Sequence, residues 1–256
     1  MDLAAFLSSA HISVHLASDS LLACEVQRRC GVRRLARQAS FSFQRGERSQ
    51  AMQRLGEWIT DTPSARRTLG WVIGPSQAQY FVLPWSPESV DRTLRDSYAR
   101  ARYEQLYEAD ARTAAFFFAA PAASGEQLVS CIPMSLRAEL QSHARAAGCS
   151  LHSIKPSLSA VWERFRHVLE AERGTLCLVE DDQEAIVRHD RRRIEHVEVA
   201  RRRPDAAAQR EGGAGVLRRF SNTEAPQAAT DLRLPRWHGA GEAQDSRYAF
   251  ALCGAF

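Results

Sequence analysis

Residues 11–43 read HISVHLASDSLLACEVQRRCGVRRLARQASFSF, and most of this stretch alternates between apolar and polar residues. The alternation runs over about 11–17, 21–28 and 32–43, and short polar breaks separate the three segments. Alternation with a period of two is typical of strands with one buried face, and breaks of this length favour tight turns. The stretch therefore predicts a three-stranded antiparallel meander.

A second meander is predicted at about 175–200, where three short apolar segments are again joined by tight turns. An amphipathic helix at 49–60 and a buried strand at 68–73 follow the first meander. Two halves that each combine a meander with a helix, arranged around a cleft, are what a duplicated α/β fold looks like, although no sequence repeat is detectable. We therefore expect a first lobe at 1–170 and a second, reduced lobe at 171–256.

A small α/β subdomain at about 77–132 is predicted to be inserted into the first lobe. Its helix is expected to begin at Ser86, because a Ser cap, a Pro and an acid follow one another there, and to run to about Tyr107. The apolar face of this helix is expected to follow the stripe Val90, Leu94, Tyr98, Ala101 and Gln105, widened by Tyr103, Leu106 and Tyr107. The strands expected beside the helix are 79–84, 113–119 and 127–132.

The remaining segments complete the two lobes. We expect helices at 135–147 and 157–169, a strand at 151–154 and a final helix or strand at 248–256. Gly148 is the expected residue after the end of the helix at 135–147. The polar stretch 201–245 is predicted to be poorly ordered or irregular, with a helix as one alternative over 203–220.

The composition indicates an ordinary globular protein. Hydrophobic residues make up 45% of the 256 residues, charged residues make up 25%, and the formal net charge is +4. No apolar stretch approaches the roughly 20 residues of a membrane helix, and the first residues lack the basic region of a signal peptide. The six cysteines form no C-x-x-C pair and indicate buried free thiols in a reducing compartment. These observations predict a cytoplasmic protein.

Four stretches together resemble a known family. The stretch HLASDSLLACE at 15–25 is similar to a phosphate loop of this family. The stretch FVLPW at 81–85 is similar to a strand of the family that ends in Leu-Pro. Residues 136–157 and 249–256 are similar to two later segments of the family. The family is that of the actin-like pilus-assembly protein PilM and the cytoplasmic domain of the type II secretion protein GspL. The resemblance implies an actin-like two-lobe fold, a duplicated RNase H-like arrangement with an inserted α/β subdomain.

The departures from the family pattern lie in both phosphate loops. His15 stands where the family has an acidic residue, Ala17 stands where it has a glycine, and Glu180-Asp181-Asp182 follows the second strand without a glycine. A Cβ obstructs the close approach of backbone to phosphate, and adjacent carboxylates repel it. We therefore expect a degenerate nucleotide site, no cofactor, no resident metal and no catalytic residue.

The resemblance also implies a function. A non-catalytic cytoplasmic scaffold of a type IV pilus or type II secretion assembly platform is expected, held at the inner membrane by the cytoplasmic tail of a bitopic partner. The motor ATPase is a further implied partner. The residues predicted to bind a partner are Phe81, Leu83, Trp85 and Phe117.

Two alternatives stay open. In the first, the chain binds ATP with Mg²⁺, and Ser18, Asp19 and Ser20 surround the phosphates. In the second, the basic stretch at 191–203 binds nucleic acid, although interleaved acids favour a solvated sheet face. His11, which lies four residues before His15, is too far from it to share a metal ion on one strand, so a core or edge role is expected for both.

Overall fold

The computed structural model describes residues 9–29, 32–44, 47–61, 66–87, 91–119, 126–191, 193–202, 215–222, 232–234 and 245–255. The strands are β1 (Ser9–Leu16), β2 (Ser20–Arg29), β3 (Val32–Ser42), β4 (Arg66–Ile73), β5 (Gln79–Leu83), β6 (Ala114–Phe118), β7 (Gln127–Pro133), β8 (Ser150–Pro156), β9 (Arg173–Glu180), β10 (Gln183–Asp190), β11 (Arg193–Arg201) and β12 (Val216–Ser221). The α-helices are α1 (Arg48–Thr60), α2 (Arg92–Tyr107), α3 (Met134–Ala146), α4 (Ser157–Leu169) and α5 (Ala249–Gly254).

The two larger sheets share one strand order. The first runs β3-β2-β1-β4-β8, with an antiparallel meander β1-β2-β3 and with β4 parallel to β1. The second runs β11-β10-β9-β12, with an antiparallel meander β9-β10-β11 and with β12 parallel to β9. Both predicted meanders are therefore confirmed, and each lobe carries the same β-β-β core followed by a parallel fourth strand.

The first sheet is buried on both faces. On one face, Ile12, Val14 and Leu16 of β1 pack in the main core together with the apolar side of α1. On the other face, side chains of β2 pack against Leu252 and its neighbours in α5. Burial of apolar area on both sides of a sheet is the main favourable term in its stability.

The last helix belongs to the first sheet and not to the second lobe, to which the sequence assigned it. α5 packs against β1, β4 and α4. Its Phe250 is fully buried, with its ring centroid 5.0 Å from that of His15 and 5.1 Å from that of Phe220. Because His15 lies in the first sheet and Phe220 in the second, this one ring joins the two lobes.

The inserted subdomain is the three-stranded sheet β5-β7-β6 covered by α2. The helix begins at Arg92 and not near Ser86, because the side chain of Asp91 caps it by accepting hydrogen bonds from the backbone N–H groups of Thr93 and Leu94. This start replaces the predicted one, and it leaves the strands of the subdomain as predicted.

The face of α2 that meets the sheet also differs from the prediction. Tyr103, predicted on the apolar side, is buried together with Ala99. The described members of the predicted stripe are exposed, namely Leu94, Tyr98, Ala101 and Gln105, and Val90 lies outside the described residues. The guanidinium of Arg95, one turn before Ala99, lies 4.8 Å from the centroid of the Phe118 ring. A cation–π contact thus allows an arginine to pack at a position that the apolar pattern predicts to be exposed to solvent.

The second half of the chain brings one further correction. The alternative of a helix over 203–220 is wrong for the last residues of this range, because Val216–Ser221 is strand β12. Residues 203–214 lie outside the described part of the chain. The prediction for the end of the chain is resolved in favour of a helix, and Gly148 follows α3 with φ of 66°, as predicted.

Candidate functional site

The cleft between the lobes is formed where two turns meet. The first turn joins β1 to β2 and is closed by a backbone hydrogen bond of 2.9 Å from Ala17 N to Ser20 O. The second joins β9 to β10 through Asp181 and Asp182, and Asp181 adopts a φ of 51°. Each turn follows the first strand of its sheet, so equivalent parts of the two lobes face each other.

A buried pair of one histidine and one glutamate lies where the two lobes meet. His15 Nε2 lies 3.2 Å from Glu180 Oε1, and the two side chains are 0% and 3% exposed. Burial raises the pKa of the Glu180 carboxyl, and the neighbouring His15 opposes this shift in part. One partner comes from each lobe, so the position where the family pattern has an acidic residue is occupied by a histidine that faces a carboxylate of the other lobe.

Two hydroxyl groups lie beside the carboxylate of this pair. Tyr80, from the start of β5, is buried next to Ser157 and Glu180, and burial raises the pKa of its phenol. Ser157 opens α4 and lies beside the Glu180 carboxylate. The inserted subdomain, the second lobe and α4 thus all contribute polar groups to one buried cluster.

Gly74 allows the Glu180 carboxylate to approach the first lobe. A Cβ on Gly74 would lie 2.0 Å from Glu180 Oε1 and 3.0 Å from Leu16 O. The Gly74 N–H already donates to Leu16 O over 2.9 Å. The close approach of a side chain to this backbone therefore requires glycine.

A second set of contacts holds the tip of the β9–β10 turn. Ser18 Oγ donates to Asp181 Oδ2 over 3.2 Å, which joins the two turns directly. Asn222, at the end of β12, donates from Nδ2 to Asp181 Oδ1 over 3.2 Å and accepts from Asp181 N over 3.3 Å. Both carboxylate oxygens of Asp181 are thus engaged by the protein.

Outside these contacts a polar cavity of about 400 Å³ remains. Asp19, Asp181 and several serines line it, together with Arg247. The Arg247 guanidinium is bound by Asp245, with Nη2 2.6 Å from Oδ2. The lining therefore offers phosphate two carboxylates and a cation that is already neutralised.

The first of the two turns lacks the glycine that lets backbone N–H groups approach a phosphate. Ala17 is buried and carries a Cβ at the turn where close backbone approach is needed. Within the described part of the chain, no group of three or more His, Cys, Asp or Glu side chains is placed to hold a metal ion. The neighbourhood predicted from Ser18, Asp19 and Ser20 exists, but Ser18 binds Asp181 in it.

Sequence reasoning missed part of this site. It treated Glu180 as one of three carboxylates that repel phosphate, and it gave no role to Tyr80, Ser157 or Asn222. The sequence offered one signal for the pair: the apolar strand β9 ends in an acid, Glu180, and the strand β1 carries His15 next to its last residue. The contributions of Tyr80 and Asn222 depend on long-range packing and had no local signal.

The four predicted partner-binding residues differ in their exposure. Phe81 and Leu83 are 3% and 1% exposed and pack beneath α2, so their burial contradicts a role on a partner surface. Phe117 is half-buried and packs against the main core. Trp85 is 51% exposed and is the member of the set that a partner can reach.

The basic stretch is interrupted by acids in space as well as in sequence. Arg193 Nη2 lies 2.6 Å from Glu126 Oε1, and Arg173 Nη2 lies 3.7 Å from Glu195 Oε2. Arg192 and Arg203 lie outside the described residues.

Among the helices that the structure describes, none has the length and apolar character needed to cross a membrane.

No protein-family model matches the sequence, and no curated protein matches it either. Solved structures do. The cytoplasmic domain of EpsL, an inner membrane component of the type II secretion system of Vibrio cholerae, matches with a TM-score of 0.57 at 12% identity, over 97% of this chain and 96% of that one. A chain of the PilM–PilN type IV pilus biogenesis complex matches with a TM-score of 0.57 at 13% identity, over 75% of this chain and 61% of that one.

A third match is a Bacteroides thetaiotaomicron protein described as having an actin-like ATPase fold and unknown function. Its TM-score is 0.53 at 8% identity, over 78% of this chain and 72% of that one. At such identities the likeness is one of fold. It confirms the predicted actin-like fold and, at the level of fold, the resemblance to PilM and GspL.

Proposed function

We propose that this chain is a non-catalytic cytoplasmic scaffold of a type IV pilus or type II secretion inner-membrane platform. In this proposal it uses no cofactor and binds the cytoplasmic tail of a bitopic membrane protein, which holds it at the inner membrane. The fold alone does not assign a function, since one fold hosts many, so the proposal depends on what the cleft can and cannot hold.

The observation that carries the proposal is the buried His15–Glu180 pair. It occupies the base of the cleft with groups from both lobes, at an Nε2–Oε1 distance of 3.2 Å. Phosphate binding in this kind of site relies on backbone N–H groups and a metal ion, and a buried carboxylate at the same place opposes it. A buried side-chain pair at this place suits a fixed arrangement of the two lobes more than it suits turnover of ATP.

The likeness to the EpsL domain supports the choice of assembly. It extends over 97% of this chain, and that protein is an inner membrane component of a type II secretion system. The second match comes from a complex of PilM with PilN in type IV pilus biogenesis. Both proteins belong to multiprotein assemblies, a secretion system and a pilus biogenesis complex, which favours a protein partner over nucleic acid.

A groove beside the inserted subdomain is the place where we expect the tail of the partner to bind. It has a volume of about 400 Å³, and Gln77, Gln79, Thr113 and Ser135 are among its lining residues. These amides and hydroxyls are uncharged donors and acceptors, which suits the backbone of an extended peptide. The volume lies within the usual range for binding pockets of roughly 300–1,000 Å³.

A pair of tryptophan substitutions on α3 tests this groove. Ser135 and Ser142 are both exposed and lie seven residues apart on one side of the same helix, but only Ser135 lines the groove. We expect Ser135→Trp to abolish co-purification with the bitopic protein encoded beside this chain, and Ser142→Trp to leave it unchanged. Equal retention of both variants would reject the groove.

The membrane itself provides the wider test. If the proposal holds, the chain sediments with membranes from wild-type cells and stays in the supernatant when the gene for the bitopic neighbour is deleted. Unchanged fractionation after deletion of every such neighbour would reject the scaffold function, whatever the groove variants show.

ATP binding with Mg²⁺ remains the second candidate, because the cavity beside Asp19 and Ser20 persists at about 400 Å³. Its carboxylates would have to hold the metal ion from shifted positions. Calorimetry with ATP and Mg²⁺ separates the two candidates.

A further inference from the structure

The sheet of the inserted subdomain has an edge strand, β6, to which no described strand adds. The strand order is β5-β7-β6, and at the opposite edge β5 lies against β11 of the second lobe. Among the described strands, β6 pairs with β7 alone, in a register without a bulge. A strand at the edge of a sheet offers its outward N–H and C=O groups to an incoming chain.

Two hydrogen bonds show which backbone groups of β6 face outwards. The Ala119 N–H donates to a carbonyl of β7 over 3.0 Å, whereas the Ala114 N–H donates within the turn that precedes β6. Backbone groups of successive residues in an antiparallel strand point alternately to the two sides of the strand. The N–H and C=O groups of Phe116 and Phe118 therefore point away from β7, towards the outer edge.

The edge of the first sheet carries obstacles to strand addition that β6 lacks. β3 contains Arg34 and Arg37, and a bulge interrupts its pairing with β2. Charges and bulges on an edge strand hinder its pairing with another chain. β6 reads AAFFF, without a charged residue or a proline, and Phe116, Phe117 and Phe118 are each half-buried. β6 is therefore better suited than β3 to accept an added strand.

Two arginines of α2 stand over the rings of this edge strand. The guanidinium of Arg95 lies 4.8 Å from the centroid of the Phe118 ring, and that of Arg100 lies 5.2 Å from the centroid of the Phe116 ring. The side chains of the two residues whose backbone faces the outer edge are thus each covered by a cation.

The charge of these arginines is not matched by an ion pair within the described part of the chain. The acids of α2 are Asp96 and Glu104, and among the described contacts neither forms an ion pair with Arg95 or Arg100. Arg95 Nε is buried and has no hydrogen-bond partner there. A guanidinium with unused donors favours a carboxylate as its partner.

We propose that β6 binds an extended acidic segment of another protein by antiparallel strand addition. Residues of the added strand opposite Phe116 and Phe118 direct their side chains to the face of these rings, where Arg95 and Arg100 lie. The residue between them points to the opposite face, the one on which Phe117 packs against the main core. The surface therefore recognises an acid, an apolar residue and an acid in succession.

This edge is distinct from the groove ascribed above to the membrane partner. None of the described lining residues of that groove belongs to β6, and the strand-addition site does not rest on the proposed scaffold function. Single-stranded nucleic acid also carries negative charge, but its backbone has no N–H groups to donate to the C=O groups of Phe116 and Phe118. The backbone of the edge thus favours a peptide over a nucleic acid.

The test is a titration of the full chain, followed by its amide NMR signals, with a blocked peptide that has Glu-Val-Glu at its centre and threonines on both sides. We expect saturable binding that shifts the amide signals of Phe116 and Phe118. Replacement of both glutamates of the peptide by glutamine should weaken binding about fivefold, since each exposed ion pair contributes modestly.

The same loss of about fivefold is expected for the double variant Arg95→Gln/Arg100→Gln with the Glu peptide. Because both changes remove the same ion pairs, the Gln peptide should bind this variant no more weakly than either change alone predicts. The double variant Arg54→Gln/Arg145→Gln, at exposed arginines of α1 and α3, has the same net charge and should bind like the wild type.

Methylation of the peptide backbone tests strand addition without any change to the protein. Methyl groups on both Glu nitrogens remove the N–H groups that donate to Phe116 O and Phe118 O, and binding should be lost. A methyl group on the Val nitrogen, which points to solvent, is the matched control and should leave the affinity within about twofold.

Three results overturn the site. They are the absence of saturable binding at about 1 mM peptide, equal affinities of the two methylated peptides, and unchanged affinity in Arg95→Gln/Arg100→Gln. If that variant does not fold, the methylated peptides with the wild-type chain still decide the question. Tighter binding of a single-stranded oligonucleotide of the same net charge overturns the choice of partner.

Discussion

The two larger sheets have the same strand order but opposite chemistry in the turn after the first strand. The turn of the first sheet follows His15 and contains the buried Ala17. The turn of the second follows Glu180 and consists of Asp181 and Asp182. An imidazole from the end of β1 and a carboxyl group from the end of β9 thus face each other.

This comparison separates what the fold requires from what a ligand requires. A meander with a parallel fourth strand needs a suitable apolar pattern and short turns, and both halves provide them. A phosphate site additionally needs glycine and acidic residues at a few fixed positions. In the first lobe Ala17 and His15 lie at the corresponding turn, and His15 contacts a buried acid of the second lobe.

The largest effect should come from Phe250, which contacts both lobes. Phe250→Ala removes a fully buried ring next to His15 and Phe220, and we expect the free energy of unfolding to fall by about 3–5 kcal/mol. Urea denaturation followed by tryptophan fluorescence measures this. A loss below about 1 kcal/mol would mean that the ring does not join the lobes energetically.

The buried His15–Glu180 pair should rank next. Glu180→Ala leaves His15 buried opposite a cavity and should cost about 3 kcal/mol, since removal of one member of a buried pair strands the other. Asp182→Ala, at an exposed position in the same turn, should stay within about 0.5 kcal/mol. A double-mutant cycle with His15→Ala then measures the interaction energy between the two side chains. If the losses of unfolding free energy in the two single variants add up to the loss in the double variant, the two side chains do not interact specifically.

The contacts at the tip of the second turn should contribute less. Asn222→Ala removes two hydrogen bonds to Asp181 and should cost about 1–2 kcal/mol, because Asn222 is buried. Ser18→Ala removes the more exposed bond between the two turns and should cost about 0.5 kcal/mol. The reverse order would show that the turns hold each other more firmly than β12 holds the second turn.

A smaller, pH-dependent effect is expected from His189 in the second sheet. Burial lowers the pKa of this imidazole, which packs against Trp162, and the nearby carboxylates Glu172 and Asp190 oppose the shift only in part. The unfolded chain then binds a proton at a higher pH than the folded one, so stability falls as the pH drops below about 6.5 and levels off below the lowered pKa. Denaturation from pH 8 to 5 should show a shallower slope for His189→Gln than for the wild type.

The smallest expected effect is the response to ATP. Because both turns lack the groups that hold phosphate, calorimetry with ATP and Mg²⁺ should give no heat of binding, and no phosphate should be released. Micromolar binding that is lost in Asp19→Ala or Asp181→Ala would contradict this prediction. Such a result would favour the ATP-binding alternative and leave the architectural comparison intact.

The sequence alone determined most of the elements and their order. The meanders at 11–43 and 175–200, the helices α1, α3 and α4, and the turn at Gly148 all follow from patterns that extend over a few residues. Alternation, helical periodicity and the conformational freedom of glycine act locally, so they can be recognised without a partner. Segments in which these local signals agreed, such as 157–169, were predicted with the observed bounds.

Only the tertiary structure decided which residues meet. The pairing of His15 with Glu180 and of His11 with His152, the solvent-facing side of α2 and the burial of Phe81 all depend on segments far apart in sequence. A charged residue such as Arg95 appears exposed in a pattern until a ring from another strand covers its alkyl chain and guanidinium. The physical reason is that periodicity reports a face of one element, whereas the packing of several elements determines what that face touches.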